Sequence, residues 1–462
     1  MFKKVLVANR GEIAVQVIRA LHEMGIKAVA VYSVADQESL FVHLADEAVC
    51  IGVSPVNQSY LNMQAIISAA NLTGCQAIHP GYGFLSENAE FAKMCADCQL
   101  TFIGPRPEVI DQMGDKENAR QTMQRLGVPV IPGSPSVLKD VEAAMQAAHT
   151  LGYPVMIKAA AGGGGKGIRA VSNDQDLAKA FRTAQQEAQA SYDDHRLYLE
   201  KIIAPAKHIE VQVLADQQGH VIYLPERDCS LQRNHQKVLE ESPCAVITTA
   251  ERTKLGQLVA NATKKLGYTN TGTYEFLMDQ QHHFYFLEMN TRLQVEHTVT
   301  EMVTGIELIK AQVQIAAGIP LKIKQADVKI HGVAMECRLN AEDPYHDFRP
   351  QPGKITRLIY PMGTLGVRID AGVVTGSMIA PFYDSMIAKI IVHGNNRKMV
   401  SRKMHRCLLE LTIDGVQTNR TFLAGLVADS TVSRGTYTTA YIEQDFLKGW
   451  LSDAQAQVSS TH

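Results

Sequence analysis

An α/β protein that passes into α+β units is predicted here, on three observations. Residues 4–8 form a short apolar run, residues 11–24 carry apolar side chains at helical spacing, and residues 27–33 form a second β-rich run. This strand-helix-strand alternation continues to about residue 104, and beyond it come shorter strand-like runs and separate helices. The 462 residues are about three times a ~150-residue domain, so two or three packed units are expected.

Taken in order, the first turn is Ala8-Asn9-Arg10-Gly11-Glu12. It lacks the spaced glycines that let a backbone approach a pyrophosphate, which argues against a nicotinamide enzyme. Pro105, Pro107 and the Gly114-Asp115 pair punctuate the chain, with Asp115 placed to cap a new helix. Pro129, Pro132, Gly133 and Pro135 open a small subdomain running to about residue 201. A Pro-rich loop at residues 343–353 follows a strand-like run at 332–339, and short strands with a last helix near residues 400–411 complete an α+β unit. The chain shows neither an internal repeat nor a low-complexity segment.

A formal charge of -2 leaves no bulk field for nucleic acid or an anionic membrane, so any anion site must be local. No run approaches the ~18 apolar residues of a membrane span. The apolar stretch at residues 5–8 is far too short for a signal-peptide core, so a cytoplasmic protein is expected. Eight scattered cysteines fit reduced thiols, and Cys95-Ala96-Asp97-Cys98 lies in a helical-looking segment without a second ligand pair, so helix packing is its expected role.

Ala161-Gly162-Gly163-Gly164-Gly165-Lys166-Gly167 sits between two strand-like runs. Four consecutive glycines cost roughly 1 kcal/mol each to order, and they offer unobstructed N–H groups. A flexible hairpin tip and a cover over phosphates both remain open. No Ser or Thr follows the lysine, so this is not a Walker A loop. Lys158 precedes the flap and Lys116 follows the first boundary; each suits a phosphate contact or a plain surface position.

Residues 273–279 and 284–290 are two β-rich runs around a short polar turn, and a turn centred on Gln281 and His282 sets Glu275 opposite Glu288, with Asn290 on the same face. Facing carboxylates destabilise a hairpin unless a cation lies between them, and two carboxylates with an amide suit Mg²⁺ or Mn²⁺. A register slip that turns one glutamate to solvent is the alternative. Continuing by twos gives Arg292, Gln294 and Glu296: a guanidinium to hold a small anion, an amide, and a carboxylate able to act as base. A solvated polar face shows the same alternation. Residues 226–237 are dense in polar groups and read as an anion- or base-binding segment or a solvated loop. His208, on an alternating strand, reads as structural.

These segments together resemble the biotin carboxylase family, a branch of the ATP-grasp enzymes, from Val5 to about Ile442. The matching stretches are residues 7–14, His79-Pro80-Gly81-Tyr82-Gly83-Phe84-Leu85-Ser86-Glu87-Asn88, Met113-Gly114-Asp115-Lys116, the glycine flap, residues 226–237, residues 288–297, and Glu336-Cys337-Arg338-Leu339-Asn340-Ala341-Glu342-Asp343. The resemblance implies an ATP-grasp fold: a Rossmann-like α/β domain at 1–114, an ATP-grasp domain at 115–330 with a lid at about 131–202, a C-terminal α+β domain at 331–446, and a tail at 447–462. It implies ATP contacts at Lys116, Lys158, Glu200, Lys201, Ile203, His208, Gln232, His235 and Leu277, with Gly163, Gly164, Gly165 and Gly167 in the closing flap. It implies metal ligation by Glu275, Glu288 and Asn290. Lys237, Arg292, Gln294 and Val295 match a bicarbonate pocket, Glu296 the base that deprotonates bicarbonate, and Arg338 the stabiliser of the biotin enolate. Lys166, Asn234, Thr298 and Phe348-Arg349-Pro350-Gln351-Pro352 depart from the family pattern.

The implied reaction has two steps. Bicarbonate attacks the γ-phosphate of ATP to give carboxyphosphate; this collapses to CO₂ and phosphate, the phosphate takes the ureido proton, and the biotin nitrogen attacks CO₂. No Met-Lys-Met biotinylation site is present, and Arg397-Lys398-Met399 and Arg402-Lys403-Met404 lie in a helical-looking segment. Biotin is therefore expected on a separate biotin carboxyl carrier protein, with separate carboxyltransferase subunits, a homodimeric carboxylase and acetyl-CoA as acceptor. The alternatives are the corresponding subunit of a pyruvate or other acyl-CoA carboxylase and, from another class, a non-catalytic ATP-binding scaffold.

Overall fold

The first two strands and the helix between them form as the apolar spacing requires: β1 (Lys4–Val7), α1 (Gly11–Glu23) and β2 (Lys27–Ser33). They are followed by α2 (Leu40–Leu44), β3 (Glu47–Gly52), α3 (Met63–Leu72), β4 (Ala77–His79), α4 (Ala89–Asp97) and β5 (Thr101–Phe102) in this computed structural model, which describes residues 1–134, 136–160 and 168–452. The five strands make a parallel sheet of order β3-β2-β1-β4-β5. Strand order reverses between β1 and β4, where such folds bind dinucleotides. Here the protein's own groups occupy that place: Asn9 Nδ2 donates to the carbonyls of Pro80 (2.7 Å) and Tyr82 (2.8 Å). Cys95 is buried in α4, and burial pushes its thiol up to about 12, which fits a packing role.

Asp115 caps α6 (Lys116–Arg125) by accepting from Asn118 N at 2.8 Å, directly after α5 (Pro107–Gly114). A small layer follows: α7 (Val141–Leu151), β6 (Val155–Ala159), β7 (Arg169–Val171), α8 (Asp174–Tyr192) and β8 (Leu197–Lys201). Its antiparallel sheet has the order β7-β6-β8, and Ala144, Ala148, Ile157, Phe181 and Leu199 close a separate core. The glycine segment 161–167, and with it Gly163, Gly164, Gly165, Lys166 and Gly167, lies outside the described residues.

The next elements are β9 (Lys207–Ala215), β10 (Val221–Tyr223), β11 (Arg227–Arg233), β12 (Gln236–Ser242), α9 (Thr249–Leu266), β13 (Asn270–Met278), β14 (Phe284–Asn290), α10 (His297–Thr304), α11 (Leu308–Ala316) and β15 (Val333–Asn340). After the short strands β16 (Glu342–Asp343), β17 (Arg349–Pro350), β18 (Gly353–Lys354) and β19 (Arg357–Ile359) come β20 (Val367–Ala371), β21 (Met378–Ile379), β22 (Met386–Gly394), α12 (Arg397–Glu410), β23 (Thr412–Asp414), α13 (Arg420–Ala428) and α14 (Ser430–Arg434). One large sheet joins them in the order β14-β13-β9-β11-β12-β15-β22-β20, with β10 on β9. The helix expected near residues 400–411 is α12, and it is not the last. Phe422, Leu423, Leu426 and Val427 of α13 share a core with Val400, Met404 and Leu408.

The large sheet has one apolar and one charged face, and this positions the site. Ile209, Val211 and Val213 of β9 pack with Val259 and Leu255 of α9, while Leu239, Met335, Cys337, Ile390 and Val392 pack with α12 and α13. Burying each Ile, Leu or Val contributes roughly 1.5–3 kcal/mol. By alternation the opposite parity turns His208, Glu210 and Gln212 of β9, and Glu336 and Arg338 of β15, to the other face. These groups are buried too, so each needs a partner.

Candidate active site

Glu275 and Glu288 stand opposite one another on β13 and β14, as expected, but the turn differs. Met278↔Phe284, Leu277↔Tyr285 and Phe276↔Phe286 centre the connection on Gln281 alone, and a bulge at Leu287 restores the Glu275↔Glu288 pairing. Asp279 braces this turn by accepting from the backbone N–H of Gln281 and of His283, each at 2.9 Å.

The two carboxylates are unequally served. Glu275 accepts from Asn290 Nδ2 (2.7 Å), Gln294 Nε2 (2.6 Å) and Lys237 Nζ (3.0 Å), and lies 3.0 Å from His208 Nε2. Burial opposes its ionisation, but the charges of Lys237 and His208 prevail and hold it below the ordinary carboxylate range. Glu288 makes no hydrogen bond among the described residues; burial first, then the Glu275 charge, push its pKa up, while Lys116 pulls the other way. Two carboxylates and an amide suit a hard divalent cation. The Glu288 carboxylate is open to such an ion among the described residues, whereas the Asn290 oxygen accepts from Arg292 Nη2 at 2.8 Å and would face the carboxylates only with its amide reversed. His208, Glu210 and Glu275 also bring ligand atoms within 4.8 Å of one another. Lys237 already holds both of those carboxylates, so a metal at that trio would meet a fixed cation.

Lys237 reaches the charged face through a register shift. Gln232 pairs with Lys237 but Leu231 with Leu239, which re-aims the lysine. Its ammonium binds Glu210, Glu275 (3.0 Å) and Glu296 (2.7 Å). Burial lowers its pKa, yet the three carboxylates hold it well above the ordinary value. The other oxygen of Glu296 accepts from Arg338 Nη2 at 2.9 Å, and Arg338 Nε donates to Glu240 at 2.6 Å. Despite burial, Lys237 and Arg338 keep Glu296 below the ordinary range and so ionised. The segment 226–237 is thus a buried hairpin rather than a solvated loop. Asn234 and His235 form its turn with φ of 49° and 62°, a conformation that Asn tolerates well.

The strand ends at Asn290, yet the alternation persists into the irregular segment after it. Leu293 goes to the N-terminal core, while Gln294 and Glu296 turn to the charged face. Glu87 tethers this segment by accepting from Thr291 N (3.0 Å) and Arg292 Nε (2.8 Å). Val295 contributes its carbonyl, which accepts from Lys389 Nζ at 3.0 Å. His208 serves Glu275 and Glu210 from inside the cluster; burial works against its protonation, but those carboxylates raise its pKa to about 9. Gln232 Nε2 lies 3.1 Å from His208 Nδ1.

The remaining expected nucleotide residues are more dispersed. Lys158 pairs with Glu200 in the small sheet. Lys201 spends its ammonium on the Gly152 carbonyl (2.6 Å), and its N–H donates to Pro132 O (2.7 Å). Ile203 and Leu277 are half-buried, Leu277 pairing with His208, and His235 is exposed. Sequence reasoning missed Glu210, Arg227, Glu240 and Lys389. Glu210 shares the polar parity of His208 and Gln212, which is a signal that points to it. Arg227 is wholly buried and donates to Glu210 (3.0 Å), Gln212 (3.0 Å) and Thr300 (3.1 Å); its contacts lie in distant segments. Thr298 donates its hydroxyl to Glu336.

Residues 1–110 match the family description "Biotin carboxylase, N-terminal domain", residues 115–324 "Carbamoyl-phosphate synthase L chain, ATP binding domain", and residues 336–444 "Biotin carboxylase C-terminal domain". Biotin carboxylase 1 of Bacillus subtilis is 49% identical over 96% of this chain and 98% of its own length. The chloroplastic biotin carboxylase of Arabidopsis thaliana is 48% identical over 95% of this chain and 82% of its own. Among solved structures, the biotin carboxylase domain dimer of Hydrogenobacter thermophilus 2-oxoglutarate carboxylase, in complex with MgADP, ADP and bicarbonate, superposes with a TM-score of 0.93 at 47% identity, covering 96% of this chain and 98% of that one. With three successive domain matches, near full-length identity and the same fold, the chain belongs to the biotin carboxylase family.

Proposed function

We propose that this chain carboxylates biotin, using ATP and bicarbonate, on a separate carrier protein. The observation that carries the reading is the Glu296 carboxylate spanned by Lys237 at 2.7 Å and Arg338 at 2.9 Å. Such a held, ionised carboxylate is a proton acceptor with two cations beside it, the pattern needed to bind and deprotonate a small anion. Lys237 and Arg292 orient bicarbonate, and Glu296 takes its proton as it attacks the γ-phosphorus. Arg338 then faces the ureido oxygen and stabilises the enolate that forms as phosphate removes the N–H proton. Lys116, Lys158, Glu200 and Lys201 line the nucleotide side, with His208, Gln232, His235, Ile203 and Leu277. A Mg²⁺ or Mn²⁺ ion held by Glu288 and Glu275, with Asn290, would offset phosphate charge. The boundaries at 114/115 and 330/331, with a lid at 131–202, follow the same reading.

Bicarbonate-dependent ADP release, measured with and without free biotin, tests this directly: both substrates should stimulate it. A scaffold that only binds ATP would show neither effect.

The acceptor downstream is open between two readings. Acetyl-CoA is the expectation from the separate carrier and carboxyltransferase. The likeness to the biotin carboxylase domain of a 2-oxoglutarate carboxylase (47%) and the biotin carboxylase subunit of a pyruvate carboxylase (49%) favours an oxo acid. Carboxyl transfer to each candidate with the native carrier separates them. For the assembly we propose a homodimer, on the likeness to the Hydrogenobacter thermophilus biotin carboxylase domain dimer; light scattering should give twice the 50.7 kDa chain mass. Eight free thiols support a reducing compartment such as the cytoplasm. Among the described residues no helix is long and apolar enough to cross a membrane.

A further inference from the structure

We propose that Lys389 is a positioning residue for the bicarbonate turn, holding the Val295–Glu296 peptide so that Glu296 meets its substrate. This rests on the bicarbonate reading of Lys237, Arg292 and Glu296. Lys389 lies in the middle of β22 with no exposed surface, directly opposite Arg338 of β15 on one side and Asp370 of β20 on the other. Two cations on one rung repel, so each needs an anion or carbonyl of its own.

The partners they take are neighbours in sequence. Arg338 grips the side chain of Glu296 at 2.9 Å, and Lys389 grips the carbonyl of Val295 at 3.0 Å. That carbonyl and the Glu296 N–H belong to one planar peptide, so holding the first orients the plane from which Glu296 leaves the chain. Glu296 sits at the N-cap of α10 without making a side-chain cap bond, because Lys237 and Arg338 take its carboxylate; Gln294 is held by Glu275, and Lys389 adds the hold on the backbone between them. Lys389 also lies 3.2 Å from Glu12 of α1, which accepts from the Tyr82 hydroxyl. The lysine thereby ties the turn to the N-terminal unit. A buried ammonium is destabilising unless its partners compensate, and an apolar side chain of equal length would fill the space. The ammonium here does what that chain cannot, which is to hold a carbonyl.

The test is bicarbonate-dependent ATP cleavage in Lys389→Met and in the double variant Lys389→Met/Glu12→Gln, which also removes the matching buried charge. MgADP affinity is measured by calorimetry alongside. Bicarbonate KM should rise roughly 10- to 100-fold, the usual consequence of a small misplacement, while MgADP affinity stays within about twofold. Lys389→Arg, which keeps a donor, should recover part of the loss. A folded double variant with the parental bicarbonate KM overturns the proposal, and so does failure of both variants to fold, which would make Lys389 purely structural. Absence of bicarbonate dependence in the parent protein would instead overturn the functional reading on which it rests.

Discussion

Glu288 faces Glu275 across one rung of β13 and β14, and of the two it is Glu275 whose carboxylate is in contact with cationic side chains among the described residues. Removing the charge of Glu288 should therefore relieve repulsion in the metal-free protein while weakening metal binding. In Glu288→Gln the melting temperature in chelator should be equal to or above that of the parent. The Mg²⁺ concentration for half-maximal ATP cleavage should rise by on the order of tenfold or more. Unchanged Mg²⁺ dependence would mean that the metal sits elsewhere.

A second expectation concerns covalent biotin. Lys398 and Lys403 both lie in α12, and the Lys403 ammonium is held by the carbonyls of Leu365 (2.8 Å) and His393 (2.6 Å) rather than at a hairpin tip. Intact-mass measurement after co-expression with a biotin ligase should show the unmodified chain. A stoichiometric adduct would overturn the separate-carrier reading.

A third follows from the facing pair Glu240 and Glu336 on β12 and β15. Burial, above all, pushes both carboxyls above their ordinary 4.5, against the pull of Arg338 on Glu240 and of Lys389 on Glu336. The folded state thus holds protons that the unfolded state releases, and stability should fall as pH rises above that ordinary value. Glu336→Gln keeps the shape and lacks this titration, so its melting temperature should decline less between pH 6 and pH 9. Parallel decline in both proteins would show that the pair does not titrate in this window.

Much of the fold and the metal face was legible because β-strand parity is local information. Glu288 and Asn290 share a face by parity within their strand, but Glu275 joins them only in the right register: with the connection centred on Gln281 it is the bulge at Leu287 that pairs Glu275 with Glu288, and that bulge leaves no mark in the sequence. Lys237 was found only through the family resemblance, since a register shift breaks its parity. Arg227 and Lys389 were invisible for a different reason: their partners, Gln294 and Val295, lie 67 and 94 residues away and meet them only through the sheet order. Thr298, a departure from the family pattern, has a local account in its bond to Glu336.

The division of labour between Glu296 and Arg338, 2.9 Å apart, is the central claim. ADP release and carboxybiotin formation should be measured in parallel in Glu296→Gln and Arg338→Gln. Glu296→Gln should lose both products, because no base remains for bicarbonate. Arg338→Gln should keep a measurable part of ADP release while carboxybiotin formation falls by about 10²- to 10³-fold, as expected on losing an electrostatic stabiliser. Equal loss of both products in Arg338→Gln would contradict this division and assign the arginine to the ATP step as well.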